Sequence, residues 1–125
     1  MNNEQITGII IEQAIDIHRL IGPGMLETVY KKILCYRLQK CGLHVEWEVP
    51  ISVFFEDVQM DCGYRADIVV EKQVVVEIKS IEAIGPLQVA QALTYLRFLN
   101  LRVGLVINFD VVLLKQGIRR VLNGY

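Results

Sequence analysis

Two strongly β-branched runs, residues 62–70 and 74–80, constrain the fold more than any other part of the chain, because only the polar tripeptide at 71–73 separates them. Two such runs joined by a short polar segment are typical of a β-hairpin. A slip of one residue would move every side chain to the opposite face, so the apolar pattern also predicts the register of the two strands.

The register that buries the apolar side chains pairs three residues of each strand on one face, which we expect to form the core: Val70 with Val74, Ile68 with Val76 and Ala66 with Ile78. On the opposite face, the same register places Asp67 opposite Glu77 and Arg65 opposite Lys79. Like charges that face each other across a sheet are destabilising, so the two carboxylates need a cation nearby.

Two interpretations satisfy that need. A hard divalent ion such as Mg²⁺ would bind the two carboxylates, and Lys79 would then orient a water for attack on a phosphodiester. Alternatively, Arg65 and Lys79 neutralise the carboxylates in a solvated cross-strand quartet without chemistry. On this pattern alone the quartet is the commoner arrangement, because surface charge pairs greatly outnumber metal sites.

The remaining pattern predicts a mixed α/β protein. Apolar residues at three- and four-residue spacing indicate helices over residues 6–20, 26–41 and 86–99. Residues 45–50 alternate as a strand, for which 51–55 are the expected hairpin partner or continuation, while 103–107 and 111–114 are the expected last strands. A short basic segment through Arg119 and Arg120 ends the chain. The order α-α-β-β-β-β-α-β-β predicts a mixed sheet with helices packed on it.

Composition narrows the class of protein. A length of 125 residues fits one domain, residues 1–125, and 53% hydrophobic residues argue against disorder. With 13 Lys plus Arg against 14 Asp plus Glu, the chain lacks the basic footprint of a bulk DNA-coating protein. No apolar run is long enough to cross a bilayer and the start lacks secretory-signal features, so we expect a cytoplasmic protein that does not associate with a membrane. Three cysteines without a CxxC pair give little support for a zinc site.

Several short motifs occur together in one order. Gly24, Glu27 and Tyr30 lie within HRLIGPGMLETVY, and they are followed by Tyr64-Arg65-Ala66-Asp67, by Val76-Glu77-Ile78-Lys79, and by Gln91 with Tyr95. In these motifs, over nearly its whole length, the chain resembles the GxxExxY family. That family is placed in the PD-(D/E)XK phosphodiesterase superfamily, which has the restriction-endonuclease-like fold.

The resemblance implies a metal-dependent nuclease that acts on nucleic acid. It implies that Asp67, Glu77 and Glu27 bind Mg²⁺, for which Mn²⁺ would substitute, and that Lys79 assists the attacking water. The residues expected to line the substrate pocket are Tyr30, Arg65, Gln91 and Tyr95. Glu27 and Tyr30 are three residues apart and Gln91 and Tyr95 are four apart, so each pair shares one helix face.

Simpler roles stay open for these residues. Glu27 is also a suitable acid for the first turn of a helix, and Tyr30 and Tyr95 are also suitable core aromatics. His18 is better explained by packing than by metal binding, since it has no partner at metal spacing. A catalytically silent module that binds a protein or nucleic-acid partner is the alternative function, and a homodimer would hide part of so apolar a surface.

Overall fold

The computed structural model describes residues 1–124, which form three α-helices, seven strands and one short 3-10 helix at Leu114–Gly117. The helices are α1 (Asn3–Ile21), α2 (Glu27–Lys40) and α3 (Pro86–Leu99). The strands are β1 (Val45–Pro50), β2 (Val53–Phe55), β3 (Val58–Met60), β4 (Arg65–Val70), β5 (Val74–Lys79), β6 (Val103–Asn108) and β7 (Ile118–Leu122).

Five strands form one mixed sheet in the order β1-β4-β5-β6-β7. The β5 and β6 strands are parallel, with α3 in the connection between them, and the other neighbours are antiparallel. The expected α/β class, a mixed sheet flanked by helices, is therefore confirmed. Within residues 1–124, no helix has both the length and the apolar character that crossing a membrane requires.

Both faces of the sheet are buried. One apolar cluster joins α1 and α2 to one face, with Ile10 and Leu34 fully buried in it. The second cluster joins α3 to the other face through Leu96. Strands covered on both sides read as continuous apolar runs, and β6 is buried at all six of its residues.

The predicted hairpin register is confirmed for Val70 with Val74 and for Ile68 with Val76. Its continuation was wrong for Ala66, which packs in the cluster under α3 and not with Ile68. Glu48 of the neighbouring β1 strand has a φ of 52°, and the β1–β4 pairing skips from Ile68 to Ala66 at this point. An irregularity of this kind changes the local twist and redirects the side chains that follow.

Residues 51–55 are neither the partner nor the continuation of β1, whose partner is β4. The Ile51 N–H donates to the Tyr64 carbonyl at 2.9 Å as the chain leaves the main sheet. Residues 53–55 then pair with 58–60, a strand that the sequence analysis missed, in a separate two-stranded hairpin. A three-residue apolar run does not identify its own partner, which explains the error.

The predicted strand at 111–114 was also wrong. Val112 is 88% exposed, and the Val111 carbonyl accepts a hydrogen bond of 2.8 Å from the buried His18 ring. The last strand is instead β7, the segment predicted as a basic chain end, which pairs with β6. Its Arg120 is held by Glu4 and Thr7 of α1, so its side chain belongs to the packing of the sheet edge.

Gly117 is required by a close approach of the backbone where the chain turns into β7. A Cβ atom at this position would lie 2.3 Å from the Asn108 carbonyl oxygen. We expect Gly117→Ala to lower the free energy of unfolding by about 2 kcal/mol in urea titrations. Gly8→Ala is the matched control, because a Cβ there meets nothing within 4 Å. In the helix it should raise stability by roughly 0.5–1 kcal/mol, and equal effects of the two changes would contradict this account.

Candidate active site

Asp67 and Glu77 bind each other's strands where the hairpin ladder stops. The last ladder pair before them is Ile68 with Val76. Beyond it, Asp67 Oδ2 accepts the Ile78 N–H at 2.7 Å, and Glu77 Oε2 accepts the Asp67 N–H at 2.8 Å. Two side-chain carboxylates thus replace the carbonyls of a regular ladder, and both lie in the same small region between β4 and β5.

Burial makes this pair of carboxylates electrostatically unusual. Glu77 is only 4% exposed, and this burial, together with the charge of Asp67, raises the pKa of Glu77 to about 8. Burial also raises the pKa of Asp67, although the Ile78 N–H and the charges of Lys31 and Lys79 oppose that shift. Near neutral pH the pair therefore holds a proton or requires a cation.

Lys31 is the cation that the sequence analysis missed. Its Nζ lies 2.7 Å from Glu48 Oε1 and 3.5 Å from Asp67 Oδ1, and it sits 5.9 Å from the centre of the Trp47 ring. Burial lowers the pKa of Lys31, but the hydrogen bond to Glu48 and the charges of Asp67 and Glu48 outweigh burial, so the net shift is upward. The spacing of four from Glu27, which puts Lys31 on the same helix face, was the available signal.

The solvated quartet is overturned by these contacts. Asp67 pairs with Lys31, and within residues 1–124 Arg65 makes no ion pair at all. Glu77 is buried, so it cannot belong to a solvated charge network. The expected adjacency of Asp67 and Glu77 survives, but the cation beside Asp67 comes from α2 and not from the hairpin.

Four of the predicted site residues line one cavity of about 520 Å³, at the end of β5: Glu27, Lys79, Gln91 and Tyr95. Lys79 Nζ lies 3.5 Å from Gln91 Oε1, and Gln91 Nε2 donates to the Tyr95 hydroxyl at 3.1 Å. Glu27 Oε2 accepts the Ser80 N–H at 2.9 Å. Burial raises the pKa of Tyr95, and the charges of Glu77 and Asp67 raise it further, so the carboxylate pair is close to this wall.

Tyr30 and Arg65 are not part of this cavity. Tyr30 is fully buried and stacks on Phe109 with ring centres 4.2 Å apart. Its hydroxyl donates to the Gly22 carbonyl at 2.5 Å and accepts the Met25 N–H at 3.2 Å. The core interpretation of Tyr30 is the one that the structure supports. Arg65 borders a separate depression of about 180 Å³.

Comparison with known proteins identifies the family. The model of the PD-(D/E)XK nuclease superfamily matches residues 4–121. The chain belongs to the PD-(D/E)XK nuclease superfamily. Neither a curated protein nor a solved structure gave a match. The resemblance at superfamily level is thereby confirmed, and membership of the narrower GxxExxY family stays a prediction.

The donor atoms of this PD-(D/E)XK chain suit a hard divalent ion. Carboxylate oxygens are what Mg²⁺ and Mn²⁺ prefer, and a divalent charge would offset the repulsion that raises the pKa values of Glu77 and Asp67. Over the described residues 1–124, however, no three His, Cys, Asp or Glu side chains lie close enough to hold a metal ion. Glu27, bound to the Ser80 N–H, is not grouped with the other two carboxylates.

The buried Glu77 carboxyl should make the metal-free PD-(D/E)XK fold less stable as pH rises. Below about pH 4.5 the carboxyl is protonated in the folded and unfolded chains alike, whereas between about 4.5 and 8 only the folded chain keeps the proton. In EDTA, wild type should therefore lose stability over this window. Glu77→Gln should remove that loss and exceed wild type at pH 8 by about 1 kcal/mol or more in urea titrations.

Glu12→Gln is the control for this prediction, because Glu12 is an exposed carboxylate on α1. Its stability should follow that of wild type across the pH range. Parallel curves for wild type and Glu77→Gln would show that the buried carboxyl does not carry the expected proton.

Tyr30 should behave as a structural residue of this fold. Tyr30→Phe keeps the ring stacked on Phe109 but removes two hydrogen bonds to the α1–α2 connection, so we expect a loss of roughly 1–2 kcal/mol in stability. Metal affinity of the folded protein should not change. Tyr36→Phe, at a 60% exposed tyrosine, is the control and should cost less than about 0.5 kcal/mol. A Tyr30→Phe variant of full stability that failed to bind metal would restore the pocket role.

Proposed function

We propose that this chain is a divalent-metal-dependent phosphodiesterase that hydrolyses nucleic acid. The observation that carries the proposal is the Asp67–Glu77 pair, in which Asp67 is partly buried, Glu77 is buried and both pKa values are raised. Glu77 lies two residues before Lys79, which lines an open cavity at the end of β5. Perturbed carboxylates beside a cavity are a recognised mark of a reactive site. Superfamily membership supports the same chemistry.

In this proposal Asp67 and Glu77 hold Mg²⁺, with Mn²⁺ as a substitute, and Glu27 supplies a further carboxylate. The bound ion would supply Lewis-acid stabilisation of the charge that develops on the phosphate. Both ligands are fixed before any ion arrives, because each already bonds to the backbone of the neighbouring strand. Such preorganisation lowers the entropy lost when a charged group is bound.

Lys79 is the residue placed to act on the substrate. Its ammonium has three N–H donors, and among residues 1–124 its one polar side-chain contact is the long 3.5 Å approach to Gln91 Oε1. The remaining donors are available to an attacking water and to a phosphate oxygen. Gln91, which donates to the Tyr95 hydroxyl, accepts this contact and holds the Lys79 ammonium at the cavity wall.

A silent binding module is the second candidate, and Lys31 is the observation that favours it. Its ammonium already neutralises Asp67 at 3.5 Å without any metal. In that case the cavity would bind a partner, and Asp67→Asn would leave the affinity for that partner intact. The two functions therefore differ in what the same substitution does.

The deciding experiment measures Mn²⁺ and Mg²⁺ binding by calorimetry and thermal shift on wild type, Asp67→Asn and Asp57→Asn. Asp57 is an exposed residue in the turn of the β2–β3 hairpin and serves as the matched control. We expect millimolar metal to raise the Tm of wild type and Asp57→Asn, but not of Asp67→Asn. Cleavage of labelled oligonucleotides should fall at least about 100-fold in Asp67→Asn alone.

Two outcomes would contradict the phosphodiesterase proposal. If no protein responds to metal, or if Asp67→Asn cleaves as fast as wild type, the phosphodiesterase proposal is wrong. Each metal-induced shift is compared with the same protein in EDTA, because Asp67→Asn itself changes stability by removing a buried charge.

A further inference from the structure

The cavity beside Lys79 is far more apolar than a surface that follows a phosphate backbone. Of its lining residues, only Glu27 and Lys79 are charged, and both belong to the proposed catalytic residues. The rest of the wall is largely aromatic and aliphatic. Its aromatic members are Tyr64 from the segment before β4 and two residues of α3, Tyr95 and Phe98.

Two of these rings are presented to solvent at the cavity. Tyr64 is 49% exposed and Phe98 is 39% exposed, whereas Tyr95 is 7% exposed. The Tyr64 and Tyr95 rings are tilted, with centres 6.2 Å apart. Exposed aromatic faces beside a reactive centre suit the flat surface of a nucleobase, and stacking on such faces is how single strands are held without sequence readout.

The polar atoms of the wall also suit a base edge. Gln88 Oε1 is used by the Gly85 N–H at 2.7 Å, but within residues 1–124 no partner takes a hydrogen from Gln88 Nε2. The Tyr95 hydroxyl accepts from Gln91 and keeps its own hydrogen to donate. Base carbonyls and ring nitrogens are the acceptors that such donors bind.

The surroundings disfavour a second strand. The β2–β3 hairpin borders the cavity through Val53, it carries exposed carboxylates at Glu56 and Asp57, and the exposed Asp61 follows directly after it. The net charge of the chain is −1. Duplex binding depends on many Lys and Arg contacts to the phosphates of two strands, and neither the cavity wall nor this hairpin supplies them. The cavity volume is that of a pocket for a small molecule, not of a duplex groove.

We propose that this cavity binds an unpaired base next to the cleaved phosphodiester bond, so that the substrate is single-stranded nucleic acid. The inference rests on the proposed phosphodiesterase function and adds the class of strand that reaches the site. Tyr64 and Phe98 stack the base, and Gln88 donates to its edge. The Lys79 end of the cavity then faces the adjoining phosphate.

The test measures binding in EDTA, where no cleavage occurs, by fluorescence anisotropy. The probes are labelled single-stranded DNA, single-stranded RNA, a blunt duplex and a strand of abasic nucleotides. We expect wild type to bind a single strand at least about 10-fold more tightly than the duplex or the abasic strand. The DNA and RNA arms show which sugar the cavity accepts.

Substitutions assign the binding to the cavity. Tyr64→Ala and Phe98→Ala should each weaken single-strand binding about 5-fold or more, and Tyr64→Phe should restore it because the ring is kept. Tyr36→Ala is the matched control, since Tyr36 is an exposed tyrosine on α2 that does not line the cavity. Thermal unfolding of each variant confirms that it is folded.

The outcomes separate this inference from the function on which it rests. Equal binding of single strand, duplex and abasic strand, or equal effects of Tyr64→Ala and Tyr36→Ala, would overturn the inference. Cleavage that requires Asp67 but is equally fast on blunt duplex would overturn it and leave the phosphodiesterase proposal standing. Base-dependent binding with no cleavage would overturn that proposal and leave a single-strand binding cavity.

Discussion

The structure of the site depends on one exchange of hydrogen bonds between two strands. Asp67 accepts a backbone N–H of β5 and Glu77 accepts a backbone N–H of β4, at the point where the β4–β5 ladder has ended. These bonds satisfy backbone groups that would be left unpaired as the strands separate. They also hold two carboxylates in a largely buried region, where a charged group without hydrogen bonds would be unfavourable.

Burial raises the pKa of Glu77 more than the pKa of Asp67. Lys31 forms ion pairs with Asp67 and Glu48, and within residues 1–124 it forms none with Glu77. The charges of Lys31 and Lys79 oppose the upward pKa shift of both carboxyl groups, but burial and the charge of Asp67 still raise the pKa of Glu77 to about 8. A further positive charge is therefore needed most at Glu77. Glu77 lies two residues before Lys79 on β5, at the end of the strand that reaches the cavity.

Short-range patterns predicted the three helices, four strands of the main sheet and the central hairpin, because helix period and strand register are local properties. Helix spacing places Lys31 on the same face as Glu27, but it does not identify the partners of Lys31 on β1 and β4. The packing of Ala66 depends on the irregular pairing of β1 with β4 near Glu48. The last strand was missed for a related reason. Its Arg120 pairs with Glu4, more than a hundred residues away, and no local pattern shows that a charged segment is held at a sheet edge.

The fully buried Tyr30 positions the site without entering it. Its hydroxyl bonds to both ends of the α1–α2 connection, which fixes where α2 begins. Ser80, just after β5, bonds to the Met25 carbonyl and to the Glu27 carboxylate, so the same connection is tied to the end of β5. Lys31 then follows Glu27 by about one helical turn and reaches Asp67 on the neighbouring strand. The glutamate and the tyrosine of the motif thus tie the start of α2 to the α1–α2 connection and to the residue that follows β5.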